Sequence, residues 1–429
     1  MVEFYRDTLA NGLRVVSVEM PHLHSAEMHC YVGVGGRCET AEHAGLSHFL
    51  EHMLFRGTAE HPSSLDLDRA FESLGGAVNA STDAETTCYH SRLHPERLAE
   101  GAALFASMLQ RPLLNGLEVE RRIILEEALE DYNERGEEIN PDNLTGRLLW
   151  PGHPLSQPTI GTRASIATFD EQLLRAHLAR YYTPANCVIV VAGRVRHSQV
   201  LAAVQDAFAG WQGTAPPPPL PFVAPPPAAP ELTWVRDSDS QISIQLAFRL
   251  PGRSDPACLP LRVLRRILSG SGAARLMLRL RETLGLTYNV EANLALFADS
   301  GCLAVDLAVA PANLVEAVRE TLSVLEELRH EPIGTEELRR VIGGYLYDLD
   351  FSRDHTDDLA ARYGWGELVG CLRTLEDDRR ELSAVTATTL QEVARIHLSP
   401  GTLKGAIVGP FRKRDQAPVA RLLAGFGRN

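Results

Sequence analysis

Apolar residues along this chain follow two periods. Residues 13–18 (Leu-Arg-Val-Val-Ser-Val), 29–34 (His-Cys-Tyr-Val-Gly-Val) and 242–248 (Ile-Ser-Ile-Gln-Leu-Ala-Phe) have the composition and length of strands. Residues 118–130 and 261–268 instead place apolar side chains three and four apart, the spacing of one helix face. Strand-like runs open each half of the chain, helical segments follow, and a β-rich run closes it. This order predicts an α+β fold in which one unit, a mixed sheet with helices, is made twice.

Between the halves, residues 214–230 hold two proline runs that fit neither a helix nor a central strand. They predict an extended connector, with one domain at 1–213 and another at 231–429. A constant offset supports a duplication. Pro184 and Pro400 stand 216 residues apart, as do Gly193 and Gly409, and as do the Gly-Arg pairs beginning at Gly36 and Gly252.

At 429 residues, the chain exceeds what one hydrophobic core usually organises. No run of about 18 apolar residues appears, and the first residues lack the basic start and apolar stretch of a secretory signal. The expectation is a cytoplasmic protein without a membrane span. Seven cysteines, scattered and never spaced as Cys-x-x-Cys, predict free thiols rather than a disulfide framework. A net charge of −13 argues against nucleic acid or anionic lipid as partner.

The chemistry concentrates in residues 44–55, where His48, Glu51 and His52 interrupt an otherwise buried helix pattern. Residues four apart share a helix face, so His48 and His52 can point two imidazoles at one ion. A catalytic zinc takes three protein ligands and keeps a position for water, while a carboxylate that is not a ligand serves as base. Glu51 fits that base, in the order His-x-x-Glu-His. The duplicate carries Leu264 and Leu268 at the histidine positions, so the architecture alone does not require the histidines. For a third ligand, Glu127 follows Ile123 and Ile124 on the apolar face predicted for 118–130, where a carboxylate needs a partner. Glu120, one heptad earlier, is placed to orient a ligand from behind. The duplicate has Gly343 opposite Glu127, so all three proposed ligands are missing from it together.

Taken together these residues resemble the M16 inverzincin metallopeptidases, the pitrilysin and processing-peptidase superfamily, in its short two-domain bacterial branch. The resemblance rests on residues 48–58 (His-Phe-Leu-Glu-His-Met-Leu-Phe-Arg-Gly-Thr), 11–16 (Asn-Gly-Leu-Arg-Val-Val) and 75–82 (Gly-Gly-Ala-Val-Asn-Ala-Ser-Thr) with Thr86 and Tyr89. It rests equally on 120–127 (Glu-Arg-Arg-Ile-Ile-Leu-Glu-Glu), and on 274–282 (Ala-Arg-Leu-Met-Leu-Arg-Leu-Arg-Glu) with 285–288 (Gly-Leu-Thr-Tyr) in the second half. The resemblance implies one zinc per chain on His48, His52 and Glu127, activation of the attacking water by Glu51, and an inactive second domain. It implies that Asn79 and Ala80 lie on an edge strand that takes the substrate peptide as an added strand. It also implies that Arg281 and Tyr288 grip the substrate or steady the oxyanion.

The implied activity is a zinc metalloendopeptidase that encloses peptides or small unfolded proteins in a chamber and cuts them in extended form. The loop 269–272 is short and only partly glycine-rich, unlike the long glycine-rich loop of the non-catalytic mitochondrial partner subunit. Homodimer and heterodimer with a paralogue both stay open, as do a subunit active only beside a partner and a peptide-binding subunit with structural zinc. Two histidines and a carboxylate accept several divalent ions, so zinc itself is implied only by the resemblance.

Overall fold

A computed structural model describes residues 3–428. The chain forms two compact units. The first contains a six-stranded sheet of β1 (Glu3–Thr8), β2 (Arg14–Glu19), β3 (Ala26–Val32), β4 (Val78–Thr82), β5 (Thr87–Leu93) and β6 (Cys187–Gly193), in the order β1-β2-β6-β3-β5-β4. The second contains β7 (Glu231–Val235), β8 (Ile242–Leu250), β9 (Val290–Leu296), β10 (Gly301–Val309) and β11 (Leu403–Val408), in the order β7-β11-β8-β10-β9. Each sheet is mixed: β2 with β6 and β7 with β11 run parallel, and the other pairs run antiparallel.

The offset of 216 residues reappears in the strand register. Met28 stands opposite Val191 on one side and Ser91 on the other, while Ile244 stands opposite Ile407 and Leu307. Adding 216 to each member of the first set gives the second. The duplication therefore extends to individual cross-strand pairs, with β1 an extra edge in the first sheet. A helix follows the last strand of each half, His197–Phe208 after β6 and Lys413–Gly425 after β11, where the sequence pattern suggested only a β-rich ending.

The compact units do not follow the linear division at 213 and 231. The first is made of residues 1–128, 157–220 and 348–375, and the second of 129–156, 221–347 and 376–429. The halves have exchanged equivalent segments. Helix Pro141–Leu149, from the first half of the sequence, packs on β8 and β11. Helix Thr356–Ala360 and its wider continuation Ala361–Trp365, from the second half, pack on β3 and β6. A shift of 216 residues carries the first of these helices onto the second. The connector 211–230 runs between the halves without helix or strand.

In the first unit the alternation of strand β3 separates two environments. Ala26, Met28, Cys30 and Val32 enter an apolar core with Phe49, Leu50, Met53 and Phe105. Glu27, His29 and Tyr31 point to the opposite face, which the exchanged segment covers. The seven cysteines are free thiols. No helix among the described residues is long and apolar enough to cross a membrane.

Candidate metal centre

The helix carrying the histidines, Leu46–Leu54, is fixed by its two sides. Leu46, Phe49, Leu50, Met53 and Leu54 anchor it in the core. Its first turn is capped from a distance: buried Glu39 accepts hydrogen bonds from the Gly45 amide at 2.7 Å and the Ser47 amide at 2.6 Å. A carboxylate at this end complements the exposed amides and the helix dipole. Gly45 sits at φ +90°, and a Cβ there would lie 2.4 Å from the Ile160 carbonyl oxygen, so a side chain is excluded twice over.

One turn apart, the His48 and His52 rings meet edge to face at 4.7 Å between centroids. Glu127, at the end of helix Leu117–Glu127, completes a trio. Its Oε1 lies 3.7 Å from His48 Nε2, and its Oε2 lies 3.7 Å from His52 Nε2. These separations are too long for hydrogen bonds but suit a shared ion. A tetrahedral site with bonds of about 2.1 Å has ligand-to-ligand edges of about 3.4 Å. The donor atoms of all three residues fall within 4.8 Å of one another. The residues present therefore fit a single divalent ion.

The expected apolar setting of Glu127 does not hold. Its side chain is 46% exposed, and Ile123, one turn before it, is exposed as well. The helix buries Glu120 and Ile124 instead. Glu127 finds its partners in the two imidazoles rather than in the core. Glu120 is the carboxylate that lies deep: Oε2 is 3.3 Å from His52 Nδ1, and Oε1 accepts a hydrogen bond from Arg56 at 3.2 Å.

Electrostatics separate the members of the site. Burial, reinforced by the positive charge of His52, holds the His48 imidazole down at about 4, so it is neutral and able to donate a lone pair at neutral pH. Burial pulls His52 the same way, but the Glu120 hydrogen bond and the charges of Glu51, Glu127 and Glu120 outweigh it and raise the ring. Glu51 is 7% exposed. Burial pushes its carboxyl above the usual carboxylate range, opposed by a hydrogen bond from the Thr82 hydroxyl at 2.5 Å and by His52, and assisted by Glu127. A raised carboxyl close to a candidate ion is the environment a general base requires.

Asn79, Ala80 and Thr82 belong to β4, which pairs with β5 on one side and forms the edge of its sheet. Asn79 is exposed and Ala80 half-buried. The edge strand thus carries both the expected peptide-binding positions and the hydroxyl that holds Glu51. Arg281 and Tyr288 lie in the second unit, apart from this cluster in the chain. Arg281 stands in a wide helical turn, Met277–Thr283, with its guanidinium 5.0 Å from the centre of the Tyr288 ring. Tyr288 is 81% exposed. Sequence reasoning missed Thr82 as the partner of Glu51 and Arg56 as the partner of Glu120. A polar residue at the end of an edge strand and an arginine one turn after His52 were the available signals.

Comparison with known proteins places this geometry in a family. Residues 14–163 match the model for insulinase, peptidase family M16, and residues 168–345 match the model for the peptidase M16 inactive domain. An uncharacterized zinc protease of Mycobacterium tuberculosis is 34% identical over 423 residues, covering 96% of this chain and 94% of its own. An uncharacterized zinc protease of Bacillus subtilis is 30% identical, covering 91% and 94%. Among solved structures, a protease from Helicobacter pylori superposes with a TM-score of 0.87 at 21% identity, over 95% of this chain and 100% of that one. A peptidase M16 inactive domain from Pseudomonas fluorescens also gives 0.87 at 21% identity, over 96% and 99%. The two structures share the fold, and the matched sequence models and relatives carry the assignment: this chain belongs to the M16 peptidase family.

Proposed function

We propose that the protein is a zinc metalloendopeptidase in which His48, His52 and Glu127 hold the ion and Glu51 is the base. One observation carries this reading: three donor atoms surround a space of the right size for one ion, beside a buried carboxylate that is not among them. A divalent ion held there supplies Lewis acidity, making a water molecule acidic near neutral pH and polarising a peptide carbonyl. Glu51 accepts the proton of that water and passes it to the leaving amine. The Thr82 hydroxyl fixes one oxygen of Glu51, leaving the other for the proton. Glu120 and Arg56 fix the His52 ring from behind.

The substrate reading rests on β4. An edge strand offers unpaired backbone groups to an extended peptide, which recognises many sequences through the main chain. Asn79 and Ala80 take that role here. The family resemblance assigns Arg281 and Tyr288, a guanidinium and a phenol both reaching solvent, to gripping the substrate or steadying the oxyanion. On this reading the substrates are peptides or small unfolded proteins held in extended form in a chamber, and the enzyme is a cytoplasmic homodimer or a heterodimer with a paralogue.

Metal content and cleavage of a quenched peptide library, for wild type and Glu51→Gln side by side, test the proposal. Zinc in both proteins with cleavage by wild type alone supports it. Zinc in both with no cleavage, even after co-expression with a neighbouring paralogue, overturns it in favour of a peptide-binding subunit with structural zinc.

A further inference from the structure

A second group of ligand-type side chains lies on the far face of the same sheet. Glu27 and His29 alternate along β3, His90 stands directly opposite His29 on β5, and Asp357 comes from the exchanged helix Thr356–Ala360. One donor atom from each of the four falls within 4.8 Å of the others. Glu27 and His29 are 6% and 3% exposed. Burying this much charge and polarity is costly without a common partner.

The nitrogens show what is missing. His29 Nε2 lies 3.2 Å from Asp357 Oδ1, and His90 Nδ1 lies 3.7 Å from Glu27 Oε1. Both nitrogens are shut off from solvent, and each faces a carboxylate oxygen without the alignment of a good hydrogen bond. The carboxylates attract them across these gaps. The other nitrogen of His29 is provided for: Nδ1 lies 3.3 Å from the Tyr31 hydroxyl and 3.7 Å from Cys88 Sγ. A proton on Nδ1 shared with those groups leaves the Nε2 lone pair directed at the cluster, the usual arrangement behind a metal-bound histidine. Glu27 divides its oxygens similarly. Oε2 receives Arg92 and the Thr356 hydroxyl, each at 3.4 Å, while Oε1 faces His90. The His29 and His90 rings stack at 4.9 Å between centroids, and one nitrogen of each lies within 4.8 Å of both carboxylates.

We propose that Glu27, His29, His90 and Asp357 form a second, structural site for a zinc-like divalent ion that fastens the exchanged segment 348–375 to the sheet. Two imidazoles and two carboxylates give the borderline donor set that zinc accepts, and four protein ligands close a tetrahedron, leaving no position for substrate. The ligands come from three stretches widely separated in sequence, so they converge only once the exchanged helix has docked. Binding then favours the docked state over every state in which the helix is off the sheet. The site is independent of the catalytic reading, because none of its residues belongs to the centre at His48.

Zinc per chain, measured after chelation, reloading and equilibrium dialysis at micromolar free zinc, decides the matter. The proteins are wild type, Glu127→Gln, Asp357→Ala and the double variant, both substitutions lying at exposed side chains. With free zinc stepped upward to micromolar, the proposal expects two ions in wild type, one in Glu127→Gln, and a second ion held at least tenfold more weakly in Asp357→Ala and in the double variant, with Co2+ in Glu127→Gln giving the visible absorption of a tetrahedral nitrogen and oxygen site. Zinc should raise the Tm of Glu127→Gln more than that of the double variant. One ion in wild type that persists in Asp357→Ala means an ion-pair cluster only, and overturns the proposal. Two ions that both persist in Asp357→Ala with the affinities of wild type place the second ion elsewhere and overturn it equally, because Glu27, His29 and His90 alone would hold it more weakly.

Discussion

Glu120 Oε2 lies 3.3 Å from His52 Nδ1, on the side of the ring opposite to the nitrogen that faces Glu127. With the proton on Nδ1, shared with Glu120, the Nε2 lone pair is free to bind an ion. Glu120→Gln keeps the shape but removes the charge, and Arg56 then loses its ion pair as well. The expected result is a metal affinity lower by about 10- to 100-fold, with the fold intact, measured by competition with a chelator. An unchanged affinity would mean that Glu120 only neutralises Arg56.

Thr82 joins the edge strand to Glu51, the proposed base. Its hydroxyl donates to Glu51 Oε2 and lies 3.3 Å from the Thr87 hydroxyl, so the carboxylate is held from β4 rather than from its own helix. Thr82→Val is close in shape and removes the donor. Peptide cleavage should fall about tenfold or more through kcat, with zinc content unchanged, since Thr82 touches no proposed ligand. A loss of zinc in this variant would contradict the division between base and ligands.

The exchanged segment approaches the first sheet closely at Gly364. A Cβ there would lie 2.3 Å from Val190 Cγ1 and 3.0 Å from the Tyr31 ring. Val190 is fully buried in β6, a β-branched residue with little freedom to turn away. Gly364→Ala should therefore destabilise the protein by about 1–3 kcal/mol despite the better helix propensity of alanine, as measured by urea unfolding. A neutral or stabilising result would show that the helix can lift from the sheet at little cost.

Local pattern made much of this molecule legible. The Leu46–Leu54 helix, the strands around Val16, Cys30 and Leu246, and the repeat at 216 residues all follow from residue spacing. Glu127 was legible for an imperfect reason. Its apolar neighbours suggested a core position, but Ile123 is exposed, and the carboxylate is directed by the imidazoles. The exchange of segments had no local signature. A duplication shows that Pro141–Leu149 and the helix beginning at Thr356 are equivalent, but not that each lands on the other copy's sheet. For the same reason the cluster at His29 was invisible. Asp357 is distant in sequence from Glu27 and His90, and only the exchange brings it there.

His177 ties the helix of the proposed metal ligands to acid stability. Its Nε2 lies 3.0 Å from the Ser47 hydroxyl, just before His48, and the ring is 7% exposed. Burial, with the nearby charges of Arg180 and His43 adding to it, holds the imidazole down at about 3. An unfolded histidine titrates near 6.5, so below that pH the unfolded chain takes up a proton that the folded chain refuses until about pH 3. The stability associated with neutral His177 is complete above pH 6.5 and drains away as pH falls from there toward 3, at up to about 1.4 kcal/mol per pH unit. His177→Gln retains a hydrogen-bonding partner for Ser47 and cannot titrate. It should be somewhat less stable than wild type at pH 7.5, while its urea-unfolding free energy falls less steeply between pH 6.5 and 4. Parallel curves for the two proteins would mean that the folded state admits the proton, through a local opening of the helix that carries His48.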